Sequence, residues 1–199
     1  WDQTAETVLT TSWVEGIPIR DHAAIDAAGL DRKALAKILL QAFLTHAIRD
    51  GFFHADLHQG NLFADPKTGS IVGVDFGIMG RITPRERRFL ADILYGFITR
   101  NYRLIAERHF EIGYVPAHQS VDDFALALRS IGEPLHGRTV NDISMAKVLG
   151  QLFATTELFE MKTRPELVLL QKSMVLVEGV ARELDPELDI WTISEPVLG

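Results

Sequence analysis

Residues Gly51 to Gly80 read GFFHADLHQGNLFADPKTGSIVGVDFGIMG. Two short apolar runs, Asn61 to Ala64 and Ile71 to Val74, flank a turn signal of Pro66, Thr68 and Gly69. That pattern predicts a small two-stranded ribbon. Asp56 precedes the ribbon, Asn61 opens it, and Asp75-Phe76-Gly77 closes it. Asp56 then lies on a loop, with Asn61 and Asp75 at adjoining strand ends, so the three can converge on one point. Gly77 is expected to let the backbone turn away directly after Asp75.

Two carboxylates and an amide oxygen in this order suit phosphoryl transfer. One carboxylate, Asp56, would orient or deprotonate the attacking hydroxyl or water. Asn61 and Asp75 would hold Mg2+ against nucleotide phosphates, since magnesium takes hard oxygen ligands and needs only one or two protein groups beside water. Either element alone is a common accident. Together, in this order and one ribbon apart, they match the catalytic and metal-binding loops of kinases. His54, Asp56 and His58 also spell H-x-D-x-H, a pattern able to hold zinc. No further ligand stands nearby and Asn61 is a poor zinc ligand, so magnesium is the better reading. His109, His118 and His136 are scattered and are expected at surface or cap positions.

Upstream, Leu35, Ile38, Leu39, Ala42, Phe43 and Ile48 recur at helical spacing from Asp31 and stop at Asp50-Gly51. Further upstream, Val8 to Val14 is rich in β-branched and aromatic residues and reads as a strand closed by Gly16 and Pro18. Downstream, Thr83-Pro84-Arg85-Glu86 is a capping box with proline at the first helical position. Its helix should turn Phe89, Ile93, Phe97 and Ile98 inward. Helices are expected near Tyr102–Ile112, Val121–Ile131, Ser144–Phe159 and Pro165–Leu184, with a last start signal at Ser194-Glu195-Pro196. Arg81, Arg85, Arg87 and Arg88 read as a solvated helix face. Leu167, Leu170, Met174, Val177 and Ala181 form an apolar stripe expected to face the core rather than lipid.

The 199 residues suffice for one domain, and 47% hydrophobic content supports a sizeable core. No cysteine is present, which excludes a disulfide framework and thiol catalysis. The net charge of −7 argues against a general nucleic-acid binder. The longest stretch without Asp, Glu, Lys or Arg, Ile38 to Ile48, is far short of the ~20 residues of a spanning helix.

The segment HADLHQGN…VDFG resembles the catalytic core of the UbiB family of atypical, protein-kinase-like kinases. Val8 to Asp21 resembles that family's hinge, and the run from Arg164 to Trp191 its carboxyl-terminal helices. Aminoglycoside and choline kinases share the shorter H-x-D-x-H-x-x-N pattern, but the hinge and the helical tail favour UbiB. The resemblance implies a mainly α fold. It is a kinase-like C-lobe whose two-stranded ribbon carries the catalytic and metal-binding loops. Residues 1–199 then form one domain, with a hinge strand at 1–20, the catalytic core at 31–80 and a helical tail at 81–199. The amino-terminal lobe and membrane helices are expected to lie outside this stretch.

It further implies ATP and Mg2+ as cofactors, with Asp56 at the catalytic aspartate and Asn61 and Asp75 at the metal ligands. His58 takes the place of a phosphate-contacting lysine, and His54 braces the catalytic loop. Thr11 falls near the gatekeeper, and Ser12, Trp13 and Val14 would face the adenine. Gln59 stands where the family usually has proline. The expected setting is ubiquinone biosynthesis at the cytoplasmic face of the bacterial inner membrane. Expected partners are a nucleotide and quinone-pathway lipids or proteins, with no nucleic acid. The two alternatives are a catalytically silent scaffold of a quinone-synthesis complex and a small-molecule phosphotransferase.

Overall fold

The computed structural model describes residues 2–135, 145–162 and 164–198. Among them helices dominate, and the strands form two small sheets. The order is β1 (Ile17–Pro18), α1 (His22–Ala27), α2 (Arg32–Leu44), β2 (Phe52–His54), β3 (Leu62–Ala64), β4 (Ile71–Gly73) and β5 (Met79–Arg81). Then follow α3 (Pro84–Ile98), α4 (Tyr102–Glu111), α5 (Val121–Gly132), α6 (Met145–Leu158), α7 (Pro165–Leu184) and α8 (Ile190–Leu198).

The expected ribbon forms, but it is wider than two strands. β3 and β4 pair antiparallel, with Phe63 opposite Val72, and β1 adds a third strand on the far edge of β3. A second, unforeseen sheet pairs β2 with β5 antiparallel, His54 opposite Met79. Its strands hide in the sequence because Phe52–His54 and Met79–Arg81 are too short to show an alternation. The strand expected over Val8 to Val14 does not form. Among the described residues it gains only an isolated bridge between Ala5 and Val8. Its composition favours extended backbone, but a strand needs a neighbour to pair with. Val8, Leu9 and Trp13 are exposed instead.

The helical signals fare better. Asp31 caps α2, its carboxylate accepting from the Lys33 and Ala34 amides. Leu35, Leu39 and Phe43 face inward as expected, and Ala36, Leu40 and Leu44 form a second buried row beside them. That second row rotates the buried face, so Ile38 and Ala42 point outward. The capping box at the start of α3 forms in both directions, the Glu86 amide donating to Thr83 and the Thr83 amide to Glu86. Phe89, Ile93 and Phe97 are buried; the Ile98 side chain, Ser144 and His136 lie outside the described residues. The stripe Leu167, Leu170, Met174, Val177 and Ala181 is core, and α7 packs against α2. The last helix starts earlier than Ser194 suggests. Asp189 binds the Thr192 amide and hydroxyl, and Pro196 lies within α8.

His109 is a correction. Its polarity and isolation predict a surface position, yet it is 1% exposed on the inner face of α4. Its Nδ1 meets the Ile105 carbonyl at 2.7 Å, and its ring stands edge-on to Phe89 and Phe124. That bond lets a polar ring enter an aromatic cluster. His118 is at the surface, 3.1 Å from Glu160.

A Cβ on Gly80 would stand 2.2 Å from Phe53 Cζ, and Phe53 is fully buried. Gly80→Ala should therefore cost about 1–3 kcal/mol in denaturant unfolding. Burial holds the His109 imidazole down to about pKa 4 from 6.5. The unfolded chain then binds more protons between those values, so stability is full above pH 6.5 and falls toward pH 4, by roughly 3 kcal/mol. His109→Phe should flatten that slope in a pH series of unfolding curves.

Candidate active site

The chain enters the site through an unusual turn. After Leu44, α2 continues as a π-helical turn, Thr45–Asp50, and stops at Gly51, whose φ is 71°. The Gly51 amide donates to the His46 carbonyl, and its own carbonyl accepts from the Ile82 amide at 2.8 Å. A Cβ there would lie 2.6 Å from the Ile82 oxygen, so both the left-handed backbone and the close approach demand glycine. β2 then carries Phe53 into the core and ends at His54.

His54 is held by both ring nitrogens. Nδ1 accepts from the Asp56 amide at 3.1 Å, and Nε2 meets the Val74 carbonyl at 2.9 Å. An amide can only donate, so Nδ1 carries a lone pair and the proton sits on Nε2. The ring also packs on Phe76, with centroids 5.3 Å apart. Asn61 completes the frame. Its Nδ2 donates to the Asp56 carbonyl at 3.0 Å, and its own carbonyl accepts from the Val74 amide at 2.9 Å. Both backbone groups of Asp56 are thus bound by side chains, while its carboxylate points outward, about a third exposed. With its nitrogen engaged, Asn61 presents Oδ1 as the end of the amide open to a cation.

Asp75 follows Val74 directly, which sets it beside Asn61 across the end of the β3–β4 ladder. It is exposed and left-handed, with φ 58°. The chain turns directly after Asp75, through Phe76 and Gly77, as expected. The left-handed residue is Asp75 itself, a conformation aspartate tolerates better than most side chains. Gly77 serves by its smallness. A Cβ on it would come within 3.2 Å of Asp75 Oδ1, the atom its amide approaches at 3.4 Å. Strain of this kind clusters at functional sites.

His58 stands on the solvent side. Its Nδ1 accepts from the Gly60 amide at 3.0 Å, and its Nε2 lies 3.7 Å from Asp56 Oδ2. The zinc reading of H-x-D-x-H fails on this geometry. His54 has no ring nitrogen left for a metal, and His58 has one. Among the described residues, no three His, Asp or Glu side chains gather as a metal-binding group. Asn61 Oδ1 and the Asp75 carboxylate instead offer two hard oxygens, the sparse protein donation Mg2+ accepts when phosphate and water fill the remaining positions.

Thr11, Ser12 and Trp13 are exposed and Val14 half-buried, on the unpaired segment that runs into β1. Among the described residues no hydrogen bond joins them to Asp56, Asn61 or Asp75. Of the arginines after Gly80, Arg81, Arg85 and Arg88 are exposed as expected, Arg81 with its guanidinium over the Phe52 ring. Arg87 is half-buried, lies across Gly51 and donates to the Arg49 carbonyl.

Family models match this chain over two stretches. Residues 1–109 match the ABC1 atypical kinase-like domain, and residues 128–189 match the UbiB helical domain. The chain belongs to the ABC1 atypical kinase-like family. It is 43% identical over its whole length to proteins named "Probable protein kinase UbiB" from Xylella fastidiosa strain M12 and Xanthomonas axonopodis pv. citri strain 306. The chain spans 37% and 36% of those relatives' lengths. The first match ends within α4 and the second begins within α5, so Asp56, Asn61 and Asp75 all lie in the ABC1 match.

Sequence reasoning missed Val74, the residue through which His54 and Asn61 are tied together. Backbone hydrogen bonding leaves no mark on residue type, and a valine ending a strand looks like any other. It also missed the bond from Gln59 to Glu183 on α7. Nothing in two polar residues so far apart signals that they meet.

His54→Leu keeps the bulk but leaves the Val74 carbonyl and the Asp56 amide without partners. It should cost about 2–3 kcal/mol and speed hydrogen exchange at the Asp56 amide. His46→Leu, at an exposed position on the preceding turn, should stay within about 0.5 kcal/mol of the parent.

Proposed function

We propose that this chain is the catalytic lobe of a UbiB-type atypical kinase or ATPase that uses Mg2+–ATP in support of ubiquinone biosynthesis. The observation that carries the reading is the coupled frame of His54, Asp56, Asn61 and Val74, with Asp75 next in line. In this reading the outward Asp56 carboxylate works with Asn61 Oδ1 and the Asp75 carboxylate as two metal oxygens. Membership in a kinase-like family supports the same class of chemistry.

In this reading the Asp56 carboxylate meets the acceptor, a hydroxyl or a water. Its backbone is fixed on both sides, so the side chain aims without the entropy of a wandering loop. As the acceptor oxygen bonds to the γ-phosphorus and the bond to the β-phosphate oxygen breaks, the acceptor proton passes to Asp56. His58 Nε2, 3.7 Å from Asp56 Oδ2, would donate to a phosphate oxygen. Asn61 Oδ1 and Asp75 would hold Mg2+, which when bound neutralises phosphate charge. Thr11, Ser12, Trp13 and Val14 would line the adenine side, where the large exposed Trp13 ring offers a stacking face. The setting proposed for the full-length protein is the cytoplasmic face of the bacterial inner membrane, with quinone-pathway lipids or proteins as partners. No helix among the described residues is long and apolar enough to cross a membrane.

The test uses the full-length protein. Asp75→Asn should weaken Mg2+-dependent nucleotide binding at least tenfold in calorimetry, whereas Asp56→Ala should bind nucleotide and lose turnover. Unchanged affinity in Asp75→Asn would overturn the metal assignment. If the parent protein fails to restore quinone in a ubiquinone-deficient strain, the pathway assignment falls.

A further inference from the structure

The loop that carries Asp56 is braced mostly from within. The Asp56 amide is held by His54, its carbonyl by Asn61, the Gly60 amide by His58, and the Asn61 amide by the His58 carbonyl at 3.0 Å. Ala55 and Leu57 anchor it below, both buried. Gln59, half-buried on its outer side, reaches out instead: Nε2 donates to the Glu183 carboxylate in the last turn of α7. We infer that Glu183 is a positioning residue for the Asp56–Asn61 loop, acting through Gln59, so that the helical region sets the catalytic geometry. The inference rests on the catalytic reading of that loop given above.

Three features make Glu183 a suitable anchor. Its neighbours Ala181 and Leu184 are buried, so the helix end beneath it is fixed. The same end of the chain is joined to α2 by Lys33 to Glu187 at 3.1 Å and by Gln41 to the Ile193 carbonyl at 3.1 Å. A carboxylate acceptor also makes the bond to Gln59 charge-assisted, stronger than one between neutral groups.

The consequence is mechanical. Gln59 opens the short 3-10 turn Gln59–Asn61, whose last residue binds the Asp56 carbonyl. Releasing Gln59 frees that turn to rotate, which moves Asn61 and the Asp56 backbone together. Asp75, two residues beyond β4, and the Thr11–Val14 segment lie outside that turn and shift less. The transition state should suffer more than nucleotide binding.

The site allows a sharp test. His58 is already extended, at φ −79° and ψ 165°, as a following proline requires, and position 59 is the first of its turn. Gln59→Pro should therefore fit and stiffen the turn without the bond. In the full-length protein, Glu183→Ala should speed amide exchange at Asp56 and Gly60 roughly 3- to 10-fold. It should lower kcat by a similar factor and raise nucleotide KM by less, because Asn61 shifts while Asp75 and the adenine side keep their places. Glu183→Gln keeps an acceptor oxygen but loses the charge, and should fall between the parent and Glu183→Ala. Gln59→Leu should match Glu183→Ala. In a Gln59→Pro background, Glu183→Ala should have no further effect.

Parent-like exchange and kcat in Glu183→Ala would overturn the inference, as would an undiminished loss in the proline background. If the parent protein turns over no nucleotide, the catalytic reading fails. The exchange data then still decide whether Glu183 holds the loop.

Discussion

The backbone of two residues, Asp56 and Val74, carries the polar architecture of the site. Asp56 is gripped at its amide by His54 and at its carbonyl by Asn61. Val74 donates to Asn61 and accepts from His54. The four residues form a closed ring of hydrogen bonds that joins the end of β2, the loop after it and both strands of the β3–β4 pair. Buried polar groups must find partners, and here satisfying them also fixes where the carboxylates point. His54 and Asn61 are nearly buried although both are polar. Their cost of burial is offset when the ring closes.

The rest of the molecule serves that ring. The glycine stop at Gly51 starts β2 at the correct height, and Gly80 lets β5 lie against the Phe53 ring. Phe53 packs edge-on against Phe43 of α2, with centroids 5.8 Å apart. α7 supports α2 from behind through its apolar stripe. The kinase-like region and the helical region are therefore not separable in their effects. A change in the α2–α7 packing would reach His54 through Phe43 and Phe53.

Much of this is legible in the sequence. The β3–β4 ribbon, the capping box at Thr83, the apolar face of α7 and the segment bearing Asp56, Asn61 and Asp75 all follow from local residue patterns. These are features whose signal is carried by side chains close together in the chain. The departures share a different cause. Val8 to Val14 has strand composition but, among the described residues, pairs only through the Ala5–Val8 bridge. Phe52–His54 forms a three-residue strand because β5 returns to meet it from beyond the whole β3–β4 ribbon. His109 reads as a surface residue by its polarity, whereas one bond to the Ile105 carbonyl makes it a core residue. The roles of Thr11, Ser12, Trp13 and Val14 rest on resemblance, and their exposed segment adds no geometry of its own.

The central claim is that Asn61 and Asp75 meet the same cation when nucleotide is present. Paramagnetic broadening tests it directly, with Mn2+–nucleotide titrated into the isotopically labelled full-length protein. The Asn61 side-chain amide and the Gly77 backbone amide should broaden first and together, ahead of amides in α4 and α5. Broadening that begins elsewhere, or that reaches one of the two without the other, would contradict the claim.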